Sequence, residues 1–258
     1  QRREFPVSCL EHLHAQAPQS GVVMDVVLVD DGSTDGTSEA VHAAFPKIRI
    51  LPGTGDLFWC GGMRLAWEEA AKGDPDYYLL INDDTSIRPN AIAKLLSLAG
   101  SPDERKIAVA TIMDCSTGRA NYGGVSDRKK KVLEPEDREI TCDTFNANCV
   151  LVTRRVFKEL GNLSPDYTHS MGDYDYGYLA ARKGILILRS KEFLGDCPSN
   201  PIHGTWRDRN LPRLQRLKRL QHTKGLPLRE WITIVRRNFG WKWPYYAISP
   251  FCRILLGK

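Results

Sequence analysis

Val27-Leu28-Val29-Asp30-Asp31-Gly32-Ser33-Thr34-Asp35-Gly36-Thr37 is the stretch on which the reading of this chain turns. Residues 22–29 are dense in β-branched side chains and read as a buried strand. The polar run from Asp30 ends that strand and offers Ser and Thr to cap a helix over residues 37–45. Two carboxylates therefore stand where a strand stops, the place at which open α/β sheets bind ligands. An acid there can accept from a ribose hydroxyl or from N3–H of a uracil or thymine. An Asx-type turn followed by a helix cap accounts for the same letters.

Working outward, strands and helices alternate. Phe5, Cys9, Leu10 and Leu13 give residues 4–16 a helical period. Residues 48–51 read as a short strand, 53–62 as a loop holding Leu57-Phe58-Trp59, and 62–72 as a helix. Tyr77–Ile81 reads as a third strand and 89–99 as a helix opened by Pro89. That alternation predicts βαβ units and an α/β fold with a mostly parallel mixed sheet flanked by helices. Further on, 107–112 reads as a strand, 114–142 as polar and turn-rich, and 150–152 as the end of another strand. Helices follow over 154–160 and 173–183, closed by Gly161 and Gly184, before a strand at 185–188. A domain of this kind usually opens on a buried strand, whereas this sequence starts at a helix, so a first strand is expected to be missing.

Three further clusters carry chemistry. Asn82-Asp83-Asp84-Thr85 follows the Tyr77–Ile81 strand. Its oxygens suit a hard divalent cation that shares its shell with substrate phosphates, or simply a polar turn. Met171-Gly172-Asp173-Tyr174-Asp175-Tyr176 places two acids at a helix start. The macrodipole favours them there, and Asp173 reads either as an N-cap or as a general base facing an acceptor hydroxyl. His203 lies among the turn residues of Pro201-Ile202-His203-Gly204-Thr205-Trp206, where an imidazole can complete a metal shell or touch a phosphate.

The Val27–Thr37 stretch resembles the nucleotide-binding strand and loop of the family 2 glycosyltransferases, which share the GT-A fold, and the resemblance extends over most of residues 1–206. It implies that Asp30 or Asp31 contacts the donor's base or ribose. Asn82-x-Asp84 resembles the D-x-D metal motif with Asn in the first place, a change met among rhamnosyltransferase-like members. This makes Asp84 the expected cation ligand, with Asn82 and Asp83 on the donor side. Gly172-Asp173-Tyr174-Asp175 resembles the segment carrying the family's base, which implies Asp173. His203 resembles a His that often ligates the metal. Gly61-Gly62 with Arg64 resembles a donor-side segment whose usual Asn is here Arg64. Asn146-Ala147-Asn148 falls where the family lines its acceptor and sugar pocket, and Trp59 and Asp175 are placed with it. The resemblance thus implies an inverting transfer from a UDP- or dTDP-sugar to a saccharide or lipid-linked hydroxyl, with Mn²⁺ or Mg²⁺ as cofactor, in cell-surface polysaccharide synthesis. A catalytically inactive glycosyltransferase-like module and a nucleotidyltransferase are the alternatives.

Composition sets the outer limits. Of 258 residues 42% are apolar and 26% charged, ordinary for a globular chain with a sizeable core. No apolar run approaches the roughly 20 residues that span a bilayer. No signal peptide is visible, but the sequence opens abruptly at Gln1-Arg2-Arg3, so a leader stays open. Seven scattered cysteines form no C-x-x-C pair, and most lie among apolar neighbours, which suits a reducing, cytoplasmic setting. Residues 207–258 hold thirteen Lys or Arg against two acids, a balance of +11, leaving −6 for residues 1–206. We read 1–206 as the catalytic domain and 207–258 as a basic helical extension. In that extension Leu211, Leu214, Leu217 and Leu220 recur among cations, and Trp231, Phe239, Trp241, Trp243, Tyr245 and Tyr246 follow. That mixture suits an anionic membrane surface, at the inner face of the plasma membrane, or a helical appendage packed on the domain or on another subunit. A nucleic-acid partner is disfavoured, because no recognised binding motif accompanies the charge.

Overall fold

A computed structural model of the chain describes residues 4–128 and 131–257. In order, the elements are α1 (Glu4–Ser20), β1 (Val27–Asp30), α2 (Thr37–Ala44), β2 (Arg49–Pro52), α3 (Phe58–Ala71), β3 (Tyr77–Ile81), β4 (Ser86–Ile87) and α4 (Ala91–Ala99). Then come β5 (Lys106–Asp114), β6 (Arg119–Tyr122), β7 (Gly124–Ser126), β8 (Lys131–Val132), β9 (Ile140–Thr141), β10 (Thr144–Phe145) and β11 (Cys149–Thr153). Last are α5 (Arg154–Leu160), α6 (Gly172–Arg182), β12 (Leu186–Asp196), α7 (Arg213–Leu220), α8 (Leu228–Asn238) and α9 (Trp243–Leu255).

The main sheet runs β3-β11-β5-β12-β4, with β6 on β5 and β9 on β12. Strand alternation sends its side chains to two cores. Ala108, Ala110, Cys149 and Leu151 pack with α1 and α4, while Ile107, Val109, Val150 and Val152 pack with Trp67, Val156 and Ala180. Helices thus cover both faces, as a three-layer α/β fold requires.

Two expectations change. The sheet is mixed but not mostly parallel: β5/β12 and the separate pair β1/β2 are parallel, whereas β3/β11, β11/β5 and β12/β4 are antiparallel. The cause is the segment after α4. It places strands β6 to β10 between β5 and β11, and the chain re-enters the sheet from the opposite end. The strand expected at 22–29 is only β1, because its partner β2 supplies four paired positions and Val23 lies fully in solvent. Among the described residues β1 and β3 each have one ladder partner, so β1/β2 stands apart from the main sheet.

The extension is not a loose tail. Ile234 and Val235 of α8 share a third core with Cys60, Tyr167 and Met171, against which Trp231, Phe239, Trp243 and Tyr246 also pack. The leucines of α7 do not form one exposed stripe: Leu220 is wholly buried and Leu214 is 75% exposed. Five of the seven cysteines are buried and none is paired, consistent with their reading as small apolar residues. Among the described residues no helix is long and apolar enough to cross a membrane.

Candidate active site

Asp30 and Asp31 end β1 and do different jobs. Asp30 accepts from Ser33 N at 2.9 Å and from the Ser38 hydroxyl, closing the loop onto α2. Burial pushes its carboxyl up, but those hydrogen bonds outweigh it and hold the group below the usual carboxylate range. Asp31 reaches across to the next connection, accepting from Gly55 N at 2.7 Å and Phe58 N at 2.9 Å. It thereby caps α3 from a distance. This is why that helix starts at Phe58 and not near Gly62, as the local sequence suggests. Gly53 permits the approach, since a Cβ there would lie 2.5 Å from Asp31 Oδ1.

The capped helix brings Trp59 to the end of β3. Trp59 Nε1 donates to Asn82 Oδ1 at 2.7 Å, and Asn82 N donates to Asn148 O at 3.0 Å. Asn82 is therefore held by the protein, while Asp83 and Asp84 beyond it are exposed. Asp84 lies near Cys197: burial pushes that thiol up to about 12, and the Asp84 carboxylate adds to the effect. Asn148 Nδ2 stands 3.9 Å from the same sulfur, so Asp84 and Asn148 share one corner.

Asp173 lies in the first turn of α6, against the backbone of Ala147, the residue before Asn148. Its Oδ2 accepts from Ala147 N at 3.1 Å and its Oδ1 from Tyr174 N at 2.9 Å. Burial raises its pKa to about 6, against the pull of those two N–H groups. The carboxyl is thus poised near neutrality beside Asn146, whose Nδ2 donates to the Tyr174 hydroxyl at 3.1 Å while its buried Oδ1 has no partner among the described residues. Two non-glycine residues with positive φ flank the site, Phe58 at 52° and Met171 at 74°. Backbone strain of this kind persists where the surroundings over-determine it, and it clusters at functional sites.

The other expected residues have partners of their own. Asp175 is buried and faces away from Asp173, taken up by Arg237 Nη1 at 3.0 Å and Asn238 Nδ2 at 2.8 Å. Its position two residues along the helix turns it to the flank that α8 covers. Arg64 points its guanidinium at the carbonyls of Ser164 and Tyr167, at 3.3 and 3.4 Å, so it anchors the segment before α6. Gly62 lies against β1, a Cβ there meeting Val29 at 3.7 Å. His203 is 91% exposed and its Nδ1 contacts the buried Asp208 carboxylate at 3.2 Å. Among the described residues no three His, Cys, Asp or Glu side chains group to hold a metal. Asp84 offers the exposed carboxylate oxygen that a hard cation takes, with the rest of such a shell left to phosphates and water.

Three contributors had no legible signal in the sequence. His169 sets its ring edge-on to Phe58 at 6.0 Å, and burial, with Lys224 and His222 beside it, lowers its pKa. Glu230 of α8 accepts from Thr168 N at 3.3 Å. Arg237 bridges Asp166, Ser164 and Asp175. The extension therefore clamps the segment that delivers Asp173.

The mixed α/β sheet with helices on both faces is the architecture of a glycosyltransferase of the GT-A kind. The comparisons agree: residues 7–161 match Glycosyl transferase family 2, and the chain belongs to that family. It is an enzyme of that class. It is similar to the N-acetylglucosaminyl-diphospho-decaprenol L-rhamnosyltransferases of two Mycobacterium tuberculosis strains, 26% identical over 219 residues that cover 72% of this chain and 69% of theirs. In fold it is similar to GalNAc-T7 crystallised with UDP, GalNAc and Mn²⁺, with a TM-score of 0.57, 11% identity, and coverage of 96% of this chain and 52% of that one. S. aureus TarS gives a TM-score of 0.54 at 15% identity, over 98% of this chain and 77% of that one.

Proposed function

We propose that this chain transfers a hexosyl or deoxyhexosyl group from a UDP- or dTDP-sugar to a hydroxyl of a saccharide or lipid-linked acceptor, with inversion. The reading is carried by Asp173, an enclosed carboxyl with a pKa raised to about 6 and fixed by two backbone N–H groups. In the reaction Asp173 takes the acceptor's hydroxyl proton as that oxygen bonds to the anomeric carbon, and the nucleoside diphosphate departs from the opposite face. A positioned general base of suitable pKa contributes on the order of 10²–10⁴-fold. Asn82, braced by Trp59, and Asn146, through its unsatisfied Oδ1, hold the sugar and acceptor hydroxyls. The Asp30–Asp31 loop shapes the nucleotide end.

Asp84, with His203, would hold Mn²⁺ or Mg²⁺. Asp208 contacts His203 Nδ1 and would orient the imidazole so that Nε2 could serve a cation. When bound, the cation neutralises the diphosphate leaving group as a Lewis acid. The similarity to the decaprenol-linked rhamnosyltransferases supports a lipid-diphosphate acceptor for surface polysaccharide synthesis. Residues 207–258 would then keep the chain at the anionic inner face of the plasma membrane. Calorimetry of UDP and dTDP, with and without Mn²⁺, tests the donor half. Metal-dependent binding of at least one nucleotide supports the reading, and binding of neither would remove it.

A further inference from the structure

Helix α9 is apolar on two opposite sides. At 3.6 residues per turn, Trp243, Tyr246, Ala247, Pro250 and Ile254 share the side turned toward the protein, where they join the third core or are buried. Trp241, in the turn just before the helix, begins a second series with Tyr245, Ile248, Cys252 and Leu255, spaced four, three, four and three residues apart. That spacing also defines a single stripe, on the far side. Trp241 is 85% exposed, Tyr245 72%, Ile248 58% and Leu255 55%, and Cys252 is exposed as well. A helix that packs one face normally turns polar residues to water on the other, so the outer stripe is an unpartnered surface among the described residues.

Cations border the stripe. Lys242 sits 5.5 Å from the Trp241 ring centroid, and Arg253 is exposed one turn from the helix end. No acid lies anywhere in 240–257. Aromatics at a water boundary with flanking cations match a lipid interface, where rings sit at headgroup level and Lys or Arg meets anionic phosphate. The area argues against a second copy as the occupant. From their fractional exposures the five side chains offer on the order of 600 Å² of accessible surface, below the roughly 800 Å² per partner of a stable interface.

We infer that the outer face of α9, centred on Trp241, Tyr245 and Ile248, is the surface that seats this protein on an anionic bilayer. The α7 leucines, which the sequence singles out, are not that surface. The inference rests on the membrane-surface reading of residues 207–258 and specifies which face carries it. Because α8 and α9 pack together and α8 clamps the Asp173 segment, this seating orients the active site relative to the membrane.

The test is flotation of the full chain with phosphatidylcholine vesicles, with or without about 30% phosphatidylglycerol. The wild type floats with anionic vesicles, and raised salt releases it. Trp241→Ser/Tyr245→Ser/Ile248→Ser lowers the bound fraction at least about tenfold, since it removes the inserted apolar surface. Lys242→Glu/Arg253→Glu lowers it on anionic vesicles alone. Both variants keep the wild-type melting temperature and nucleotide affinity, which shows that they fold. Flotation of the triple variant at the wild-type level overturns the inference. So does light scattering that finds a dimer which the triple variant dissolves. The assay contains neither donor nor acceptor, so its failure leaves glycosyl transfer standing, and a loss of transfer with intact flotation counts only against the transfer reading.

Discussion

Asp173→Asn separates chemistry from stability. The folded pKa of about 6 lies above the usual carboxylate value, so the folded state holds a proton that the unfolded chain has already released. By linkage this group's contribution is most favourable below about pH 4, falls as pH rises toward about 6, and is level above that. A shift of about two units makes the ionised side chain roughly 3 kcal/mol less favourable in the folded protein. Asparagine never ionises and escapes that cost. It can accept from only one of the two N–H groups, from Ala147 and Tyr174, that the carboxylate now satisfies, at a cost of about 1–3 kcal/mol. The variant should therefore be less stable than wild type at about pH 4.5 and equal or more stable at about pH 7.5, a relative gain of about 2 kcal/mol. Urea denaturation at the two pH values reads this directly. In parallel, transfer should fall by on the order of 10²–10⁴-fold, and the wild-type rate should rise with pH to a plateau above about 6. A stability difference that does not move with pH, or turnover within tenfold of wild type, would refute the assignment of Asp173 as an enclosed base.

Other consequences follow from the same geometry. Asp84→Ala should abolish the Mn²⁺-dependent part of nucleotide binding while leaving the melting temperature unchanged, because the side chain is exposed; chelation should reproduce the effect in wild type, and calorimetry checks both. Arg237→Ala leaves the buried Asp175 with Asn238 alone and should cost about 1–2 kcal/mol, discounted for the partial exposure of Arg237. It should lower kcat more than it raises KM, because the Asp173 segment loosens without losing a substrate contact. Gly177→Ala should destabilise by about 1–3 kcal/mol in thermal or urea unfolding, since a Cβ there would lie 2.4 Å from Thr144 Oγ1 and 2.9 Å from the Thr144 backbone, holding α6 off β10.

The limits of legibility have physical causes. Tyr77–Ile81 and Arg154–Leu160 are marked at both ends by their own residues, so period and punctuation were enough to place them. The start of α3 was not legible, because its cap is the carboxylate of Asp31, twenty-seven residues upstream. Asp173 and Asp175 look alike in sequence, and only the packing of α8 gives Asp175 to Arg237 and Asn238 while Asp173 takes the backbone N–H groups of Ala147 and Tyr174. The direction of the strands escaped for a similar reason: alternation of strands and helices does not say from which end the chain re-enters the sheet. The role of residues 207–258 as a clamp on the segment around the start of α6 rests on ion pairs between positions some sixty to seventy residues apart, which no local pattern records.

Glycosyl transfer itself is the most direct measurement. Purified protein should be given a panel of UDP- and dTDP-sugars with Mn²⁺ and a lipid-diphosphate-linked saccharide, and nucleoside diphosphate release measured for wild type and Asp173→Asn. One preferred donor, release that depends on the acceptor, product of inverted anomeric configuration and near-complete loss in the variant are expected. Release that ignores the acceptor, product of retained configuration, or equal rates in the two proteins would contradict inverting transfer with Asp173 as its base.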